Sequence, residues 1–194
     1  SDLKNAAYLA ALSQALETKD SLLVSWLKPV DDIPAFINCQ YLFIRLPEVF
    51  YCSVTKNLIT EWIDKILSRK RVTVSGNKPL RLIGRHLLVQ MTAAAALKCL
   101  ANPGFDRTYK LAANGETSLF ELVGFIHSTL ARLLPNHNFA KLIFAEEEPV
   151  RLSEEFDTSF MENFNVILPG WRTGVEETIV AYLVHRKLFR KPKS

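Results

Sequence analysis

The sequence predicts an α/β layer fold built on a mainly parallel sheet. Three observations lead there. Apolar runs of strand length alternate with amphipathic or alanine-dense stretches of helix length. Clusters of glycine, proline and asparagine punctuate them. With 194 residues, 48% hydrophobic and 23% charged, the chain has the composition of a packed domain rather than a disordered or collagen-like one. That length suits one domain of ordinary size, whose core needs no staples.

The elements follow in order. Leu3, Ala7, Ala10, Ala11 and Leu16 recur at helical spacing among strong helix formers, so Lys4 to Leu16 is predicted helical. Ser21 to Leu27 (SLLVSWL) is an apolar run of buried-strand length, stopped by Lys28-Pro29. Val30 to Cys39, with Asp31, Asp32 and Pro34, reads as a loop. Gln40 to Phe50 (QYLFIRLPEVF) is predicted as the next strand, rich in aromatic and branched residues, with Pro47 near its end. Leu58, Ile59, Trp62, Ile63, Ile66 and Leu67 give Lys56 to Ser68 one apolar face, the best amphipathic helix in the chain, and place Trp62 in the core.

Arg71 to Val74 is a short strand, ended by the turn residues Ser75 to Pro79. Leu80 to Leu88 is predicted extended. Gln90 to Leu100 is predicted as an alanine-dense helix, stopped at Asn102-Pro103-Gly104. Thr108 to Ala112 is a strand before Asn114-Gly115. Ser118 to Leu134 is a long helix, with Thr117 or Ser118 as cap and Glu121 in its first turn. Ala140 to Ala145 is apolar, Glu146 to Pro149 an acidic, solvated turn, and Glu154 to Asn163 a further helix. Pro169-Gly170-Trp171 is a tight punctuation whose tryptophan packs a loop down. Val175 to Leu188 is the final helix, running into a basic tail.

Charge and motifs exclude several functions. Twenty-four basic against 20 acidic residues leave +4, too mild an excess for a nucleic-acid partner. The 3 cysteines, Cys39, Cys52 and Cys99, are odd in number and lack a C-x-x-C, which argues against a disulfide framework or thiolate zinc site and suits a reducing compartment. No run approaches the ~18 apolar residues of a membrane span; Leu87 to Leu100 is broken by Gln90 and Lys98. The opening Ser1-Asp2-Leu3-Lys4 lacks the basic region and apolar block of a signal peptide.

The 7 glycines never form a G-x-G-x-x-G or Walker loop, and none precedes Gly76. A phosphate cradle at a helix N-terminus needs backbone approach that side chains would block. The 4 histidines (His86, His127, His137, His185) are never spaced i, i+4, so no metal site is expected. There is no G-x-S-x-G elbow. No catalytic, cofactor-binding or metal-binding residue is therefore assigned. The tail residues Arg186, Lys187, Arg190, Lys191 and Lys193 are the candidate contact with a partner protein or with lipid headgroups, set against the alternative of a solvated terminus.

Five pieces of the chain, in order, resemble the C-terminal half of an extended short-chain dehydrogenase/reductase. These are IRLPEVF (Ile44–Phe50), NLITEWIDKILSRKRVTVSGNK (Asn57–Lys78), VQMTAAAALKCL (Val89–Leu100), NPGFDRTYKLAANGETSLFELVGFI (Asn102–Ile126) and DTSFMENFNVILPGWRTGVEETIVAYL (Asp157–Leu183). They correspond to the family's late strand, the helix–strand–turn after it, its alanine-rich helix, a strand–turn–helix, and its closing stretch. Together they reach about three quarters of the chain. The departures are specific. Gln90-Met91 stand where the family has the aspartate of V-x-D, and the proton-transferring Y-x-x-x-K pair is absent, since Tyr8, Tyr41 and Tyr51 are followed four places on by Leu12, Arg45 and Thr55. Two registrations are compatible: one sets Lys4 at the family's lysine, the other deletes the catalytic loop between Pro29 and Gln40.

The resemblance implies a truncated or reduced Rossmann-like parallel sheet over residues 1–50, and a C-terminal α/β substrate-domain-like portion over 51–194, packed as one unit. It also implies a non-catalytic, reductase-derived scaffold or accessory subunit without a cofactor, bound to other subunits of a larger complex. Accessory subunits of mitochondrial respiratory complex I that derive from this family are most similar, which implies a place on the matrix side of the inner membrane, against a cytoplasmic alternative. The alternative function is the substrate-binding half of an NAD(P)-dependent nucleotide-sugar epimerase or reductase, and only then is NAD(P) expected.

Overall fold

The computed structural model describes residues 22–27, 40–52, 55–68, 70–76, 79–101, 107–145 and 158–188. The helix expected at 4–16, the loop at 30–39 and the acidic turn at 146–149 lie outside them. The elements are β1 (Leu22–Leu27), β2 (Gln40–Arg45), β3 (Val49–Tyr51), α1 (Leu58–Ser68), β4 (Arg71–Val74), β5 (Pro79–Leu80), β6 (Leu82–Gly84) and α2 (Arg85–Ala101), followed by β7 (Arg107–Lys110), β8 (Thr117–Ser118), α3 (Leu119–Leu133), β9 (Lys141–Phe144), α4 (Ser159–Phe164) and α5 (Trp171–His185). The fold is α/β, and among the described residues the strand pairs are parallel except one.

Among the described residues the strands form four small sheets. Three of them are parallel: β1-β2-β7, β3-β6 and β4-β9. β5 and β8 pair antiparallel. Contacts divide the chain into two compact units that interleave along the sequence. One holds residues 1–47, 88–111 and 157–166, the other 48–87, 112–156 and 167–194. β7, far along the chain, pairs with β2.

Four expectations change for local reasons. Gln40 to Phe50 is two strands, because Pro47 has no N–H for a ladder; β2 stops at Arg45, and β3 starts at Val49 with β6 as its partner. The extended stretch from Leu80 stops at Gly84, and α2 begins at Arg85. Its buried residues Leu88, Thr92, Ala95 and Cys99 already follow helical spacing. The last helix begins at Trp171, where Gly170 caps it, and ends at His185; beyond it Lys187 takes a left-handed φ of 59°. Within the stretch read as helix from Glu154 to Asn163, the described part is α4, closed by Asn165 in the left-handed conformation.

In the first unit Leu42, Phe43 and Ile44 of β2 are fully buried with Tyr109 of β7. Tyr109 meets Phe160 and Phe164 of α4 edge-on, at 5.7 and 5.1 Å between ring centroids. In the second unit α1, α3 and α5 bury Ile59, Trp62, Ile63, Ile66, Leu122, Ile126, Leu130, Val175, Ile179 and Leu183 against Val72, Val74 and Leu82. Trp62 is thus in the core, as its helical spacing requires. Trp171 packs a loop down: its N–H donates to Asn114 O at 3.1 Å, and its ring meets Phe125 edge-on at 5.3 Å. Its Cδ1 would lie 3.6 Å from a Cβ at Gly115, whose φ is +87°. No helix among the described residues is long and apolar enough to cross a membrane.

Candidate functional site

In parallel α/β sheets ligands gather beyond the carboxyl ends of the strands. In the β3-β6 pair those ends are Tyr51 and Gly84, which stand opposite each other in register. Tyr51 is fully buried. A Cβ added at Gly84 would meet the Tyr51 ring at 2.9 Å, and one at Gly174 of α5 would meet its hydroxyl oxygen at 2.5 Å. Two glycines therefore make the slot that the phenol fills. Burial first, and the Glu177 carboxylate second, raise the Tyr51 pKa above its ordinary 10.0, so the group is a neutral donor at physiological pH. It is unsuited to act as a base there.

Cys52 follows directly. Its half-buried sulfur lies 4.0 Å from Arg85 Nη1, the first residue of α2. Asn57 ties this loop to the next helix. Its Nδ2 donates to Cys52 O and Thr55 O, and its Oδ1 accepts from the N–H groups of Ile59 and Thr60 at 2.9 and 3.2 Å. Asn57 N–H in turn donates to Thr60 Oγ1 at 2.9 Å, which closes a reciprocal cap on α1.

At the other end of β6 stands Arg81, whose side chain is only 12% exposed. Its Nη2 donates to Glu116 Oε1 at 2.8 Å, across the β5-β8 pairing. The planar fork of an arginine held this way is the usual shape for binding a carboxylate or a phosphate. Sequence reading missed Arg81 and Tyr51, because neither has a neighbour in the sequence that marks it. On α3, Glu121 accepts from Thr117 Oγ1 at 3.1 Å and from Arg172 of α5, and Arg132 pairs with Glu176 at 2.6 Å. These exposed pairs contribute little to stability.

Of the five tail residues singled out from sequence, two are described. Arg186 is engaged: its Nη2 lies 3.3 Å from Asp64 Oδ1, and the Tyr182 hydroxyl donates to the same carboxylate at 2.9 Å. Lys187 is exposed. Arg190, Lys191 and Lys193 lie outside the described residues. His127 and His137 flank Phe139, at 5.8 and 5.1 Å, and the His137 ring faces Leu67 O at 3.3 Å. No group of three or more His, Cys, Asp or Glu among the described residues is placed to hold a metal ion.

No protein-family model matches the sequence, and no curated protein matches it. Solved structures do match the fold. UDP-N-acetylglucosamine 4-epimerase from Bacillus cereus aligns with a TM-score of 0.56 at 14% identity, over 79% of this chain and 48% of that one. A GDP-L-fucose synthetase from Naegleria fowleri gives 0.55 at 13%, over 80% and 49%. The dTDP-4-dehydrorhamnose reductase of Bacillus anthracis, in complex with NADP, gives 0.52 at 17%, over 74% and 49%. The fold is a partial, Rossmann-like α/β fold of the kind these structures share. The chain spans about half the length of these structures. They bear out the Rossmann-like α/β architecture; the finer likeness to a respiratory-complex subunit rests on the sequence pieces alone.

At the junction of β6 and α2 the described residues leave no room for a pyrophosphate. The β6-to-α2 junction carries one glycine, Gly84, and the space in front of it is occupied by the Tyr51 ring. A pyrophosphate at a helix N-terminus needs a chain of glycines that opens the backbone to it.

Proposed function

We propose that the chain is the substrate-binding half of a nucleotide-sugar-modifying protein of the reductase type. One observation carries the reading: over about three quarters of its length the chain follows about half of epimerase, synthetase and reductase structures whose names carry nucleotide sugars. Its own residues supply one group of the right chemistry. A nucleotide sugar presents a diphosphate, and Arg81 offers it a nearly buried guanidinium paired with Glu116, whose side chain is 45% exposed. The test is calorimetric titration of the purified chain with UDP-, dTDP- and GDP-sugars. The expected outcome is binding of at least one of them with Kd below about 1 mM, weakened roughly tenfold or more by Arg81→Met, as loss of a charge-assisted contact requires. No heat with any sugar nucleotide would overturn the proposal.

A second reading, the non-catalytic accessory subunit of a larger assembly, is favoured by the absence of any Y-x-x-x-K pair and by Gln90-Met91 in place of the V-x-D aspartate. Lys187 and the basic residues beyond it would then contact a partner or lipid headgroups. That reading predicts no nucleotide-sugar heat, and migration of the chain within a larger complex under mild detergent.

A further inference from the structure

The second unit holds an unbalanced rung of charge. In the β4-β9 pair Arg71 stands opposite Lys141, and both are exposed. Lys70, also exposed, is tied into the same rung, because its carbonyl accepts from Lys141 N–H at 3.0 Å. None of these three cations makes an ion pair among the described residues. Like charges that face each other across two strands destabilise the pairing. The carboxyl end of α1, at Ser68, favours a cation at Lys70, but it does not explain the rung of Arg71 and Lys141.

The strand edge beside this rung is open. Among the described strands β9 pairs with β4 alone. The N–H groups of Lys141 and Ala145 donate to Lys70 O and Val74 O, so those of Leu142 and Phe144 point to the opposite side. Ile143 and Phe144 are 42 and 43% exposed, and the Phe144 ring leans on Phe120 at 5.2 Å between centroids. A single lysine is a common guard against further pairing at an edge. A guard gains nothing from a second cation opposite it, and it leaves the two apolar side chains that follow uncovered.

We infer that the β9 edge takes an acidic, extended segment of a partner protein as an added strand. The carboxylates of that segment lie against Lys70, Arg71 and Lys141, and its backbone pairs with Leu142 and Phe144. Charge complementarity selects the occupant, since only anions relieve the rung. The open backbone selects a peptide over a lipid headgroup layer or a nucleic acid, neither of which can extend a ladder. The inference stands apart from the nucleotide-sugar reading. These cations sit at the amino ends of two parallel strands, whereas ligands of such sheets gather beyond the carboxyl ends.

The test is fluorescence anisotropy of the full protein with a labelled probe peptide, a run of glutamates joined to alternating valine and threonine, made in both chain directions. One direction is expected to bind with Kd below about 1 mM. N-methylation of one of its two alternate sets of amides should weaken it roughly tenfold, because this removes ladder donors and keeps every charge. Lys141→Glu should weaken the probe by about tenfold or more. The same change should raise the melting temperature of the free protein by roughly 1–3 °C, since it turns a repulsive rung into an attractive one. Arg71→Glu makes the same exchange from the other strand and should repeat both effects. Absence of binding in both directions would overturn the inference, as would binding insensitive to N-methylation or to the two variants. Equal or tighter binding of phosphatidylserine vesicles or of an oligothymidylate would also overturn it, and so would a dimer of the protein that the probe does not dissociate.

Discussion

Tyr51 shows what a single position decides. A glycine inside a helix normally costs about 0.5–1 kcal/mol relative to alanine, so replacing it should stabilise. Gly124 on α3 meets nothing within 4 Å of an added Cβ, and Gly124→Ala is expected to stabilise by about that amount. Gly174 on α5 should do the opposite. Its new methyl would sit 2.5 Å from the Tyr51 hydroxyl oxygen, and Gly174→Ala is expected to lose roughly 1–3 kcal/mol by overpacking. Adding Tyr51→Phe should recover most of that loss, because the clash is with the oxygen. The same rescue should fail for Gly84→Ala, whose contact is with the ring carbons. Thermal melts of these five proteins check the set; equal behaviour of Gly124→Ala and Gly174→Ala would show that the phenol does not fill this slot.

At the scale of elements, a cap explains why α3 starts where it does. Ser118 has extended φ and ψ and its hydroxyl accepts from Glu121 N–H at 3.1 Å, so α3 begins with one of its orphan donors satisfied. Ser118→Ala is expected to cost roughly 0.5–2 kcal/mol in chemical denaturation, and Ser118→Asp to retain most of the stability. This cap was readable in the sequence, since Thr117-Ser118 stand just before an apolar periodic run with Glu121 in place. The start of α2 was not. Its outer stripe of Val89, Ala93, Leu97 and Leu100 is as apolar as its buried one, so no amphipathic contrast marks the boundary. The break between β2 and β3 was half legible: Pro47 announced an interruption, but nothing local said that the chain resumes as a strand with a different partner.

For the whole molecule, pH reports the same packing. Burial raises the Tyr51 pKa above 10.0, and burial together with the Asp64 hydrogen bond raises that of Tyr182. Below pH 10 both phenols are protonated whether the chain is folded or not, and the folded state bears no ionisation penalty. As pH rises past 10 the unfolded chain releases these protons while the folded one retains them, so stability is lost in that direction. The melting temperature should therefore fall from about pH 9 to about pH 11, with a slope of at most ~1.4 kcal/mol per pH unit for each tyrosine. Tyr51→Phe should flatten the fall. An unchanged slope in that variant would show that the Tyr51 hydroxyl ionises as freely in the folded chain as in the unfolded one.

By itself the sequence determined most of the described strands and helices, though neither the start of α2 at Arg85 nor the resumption of the chain as β3, along with the predominance of parallel pairing, the core position of Trp62 and the loop-packing role of Trp171. These follow from local periodicity and turn chemistry, which act over a few residues. Only the tertiary structure decided which strands meet, that two interleaved units share the chain, and that Tyr51 stands between Gly84 and Gly174. It also set Arg81 against Glu116, and Asp64 against Tyr182 and Arg186. The physical reason is the same for each. These contacts join residues far apart in sequence, and their free energy exists only once loop closure has brought the elements together, so no local window of the chain contains it.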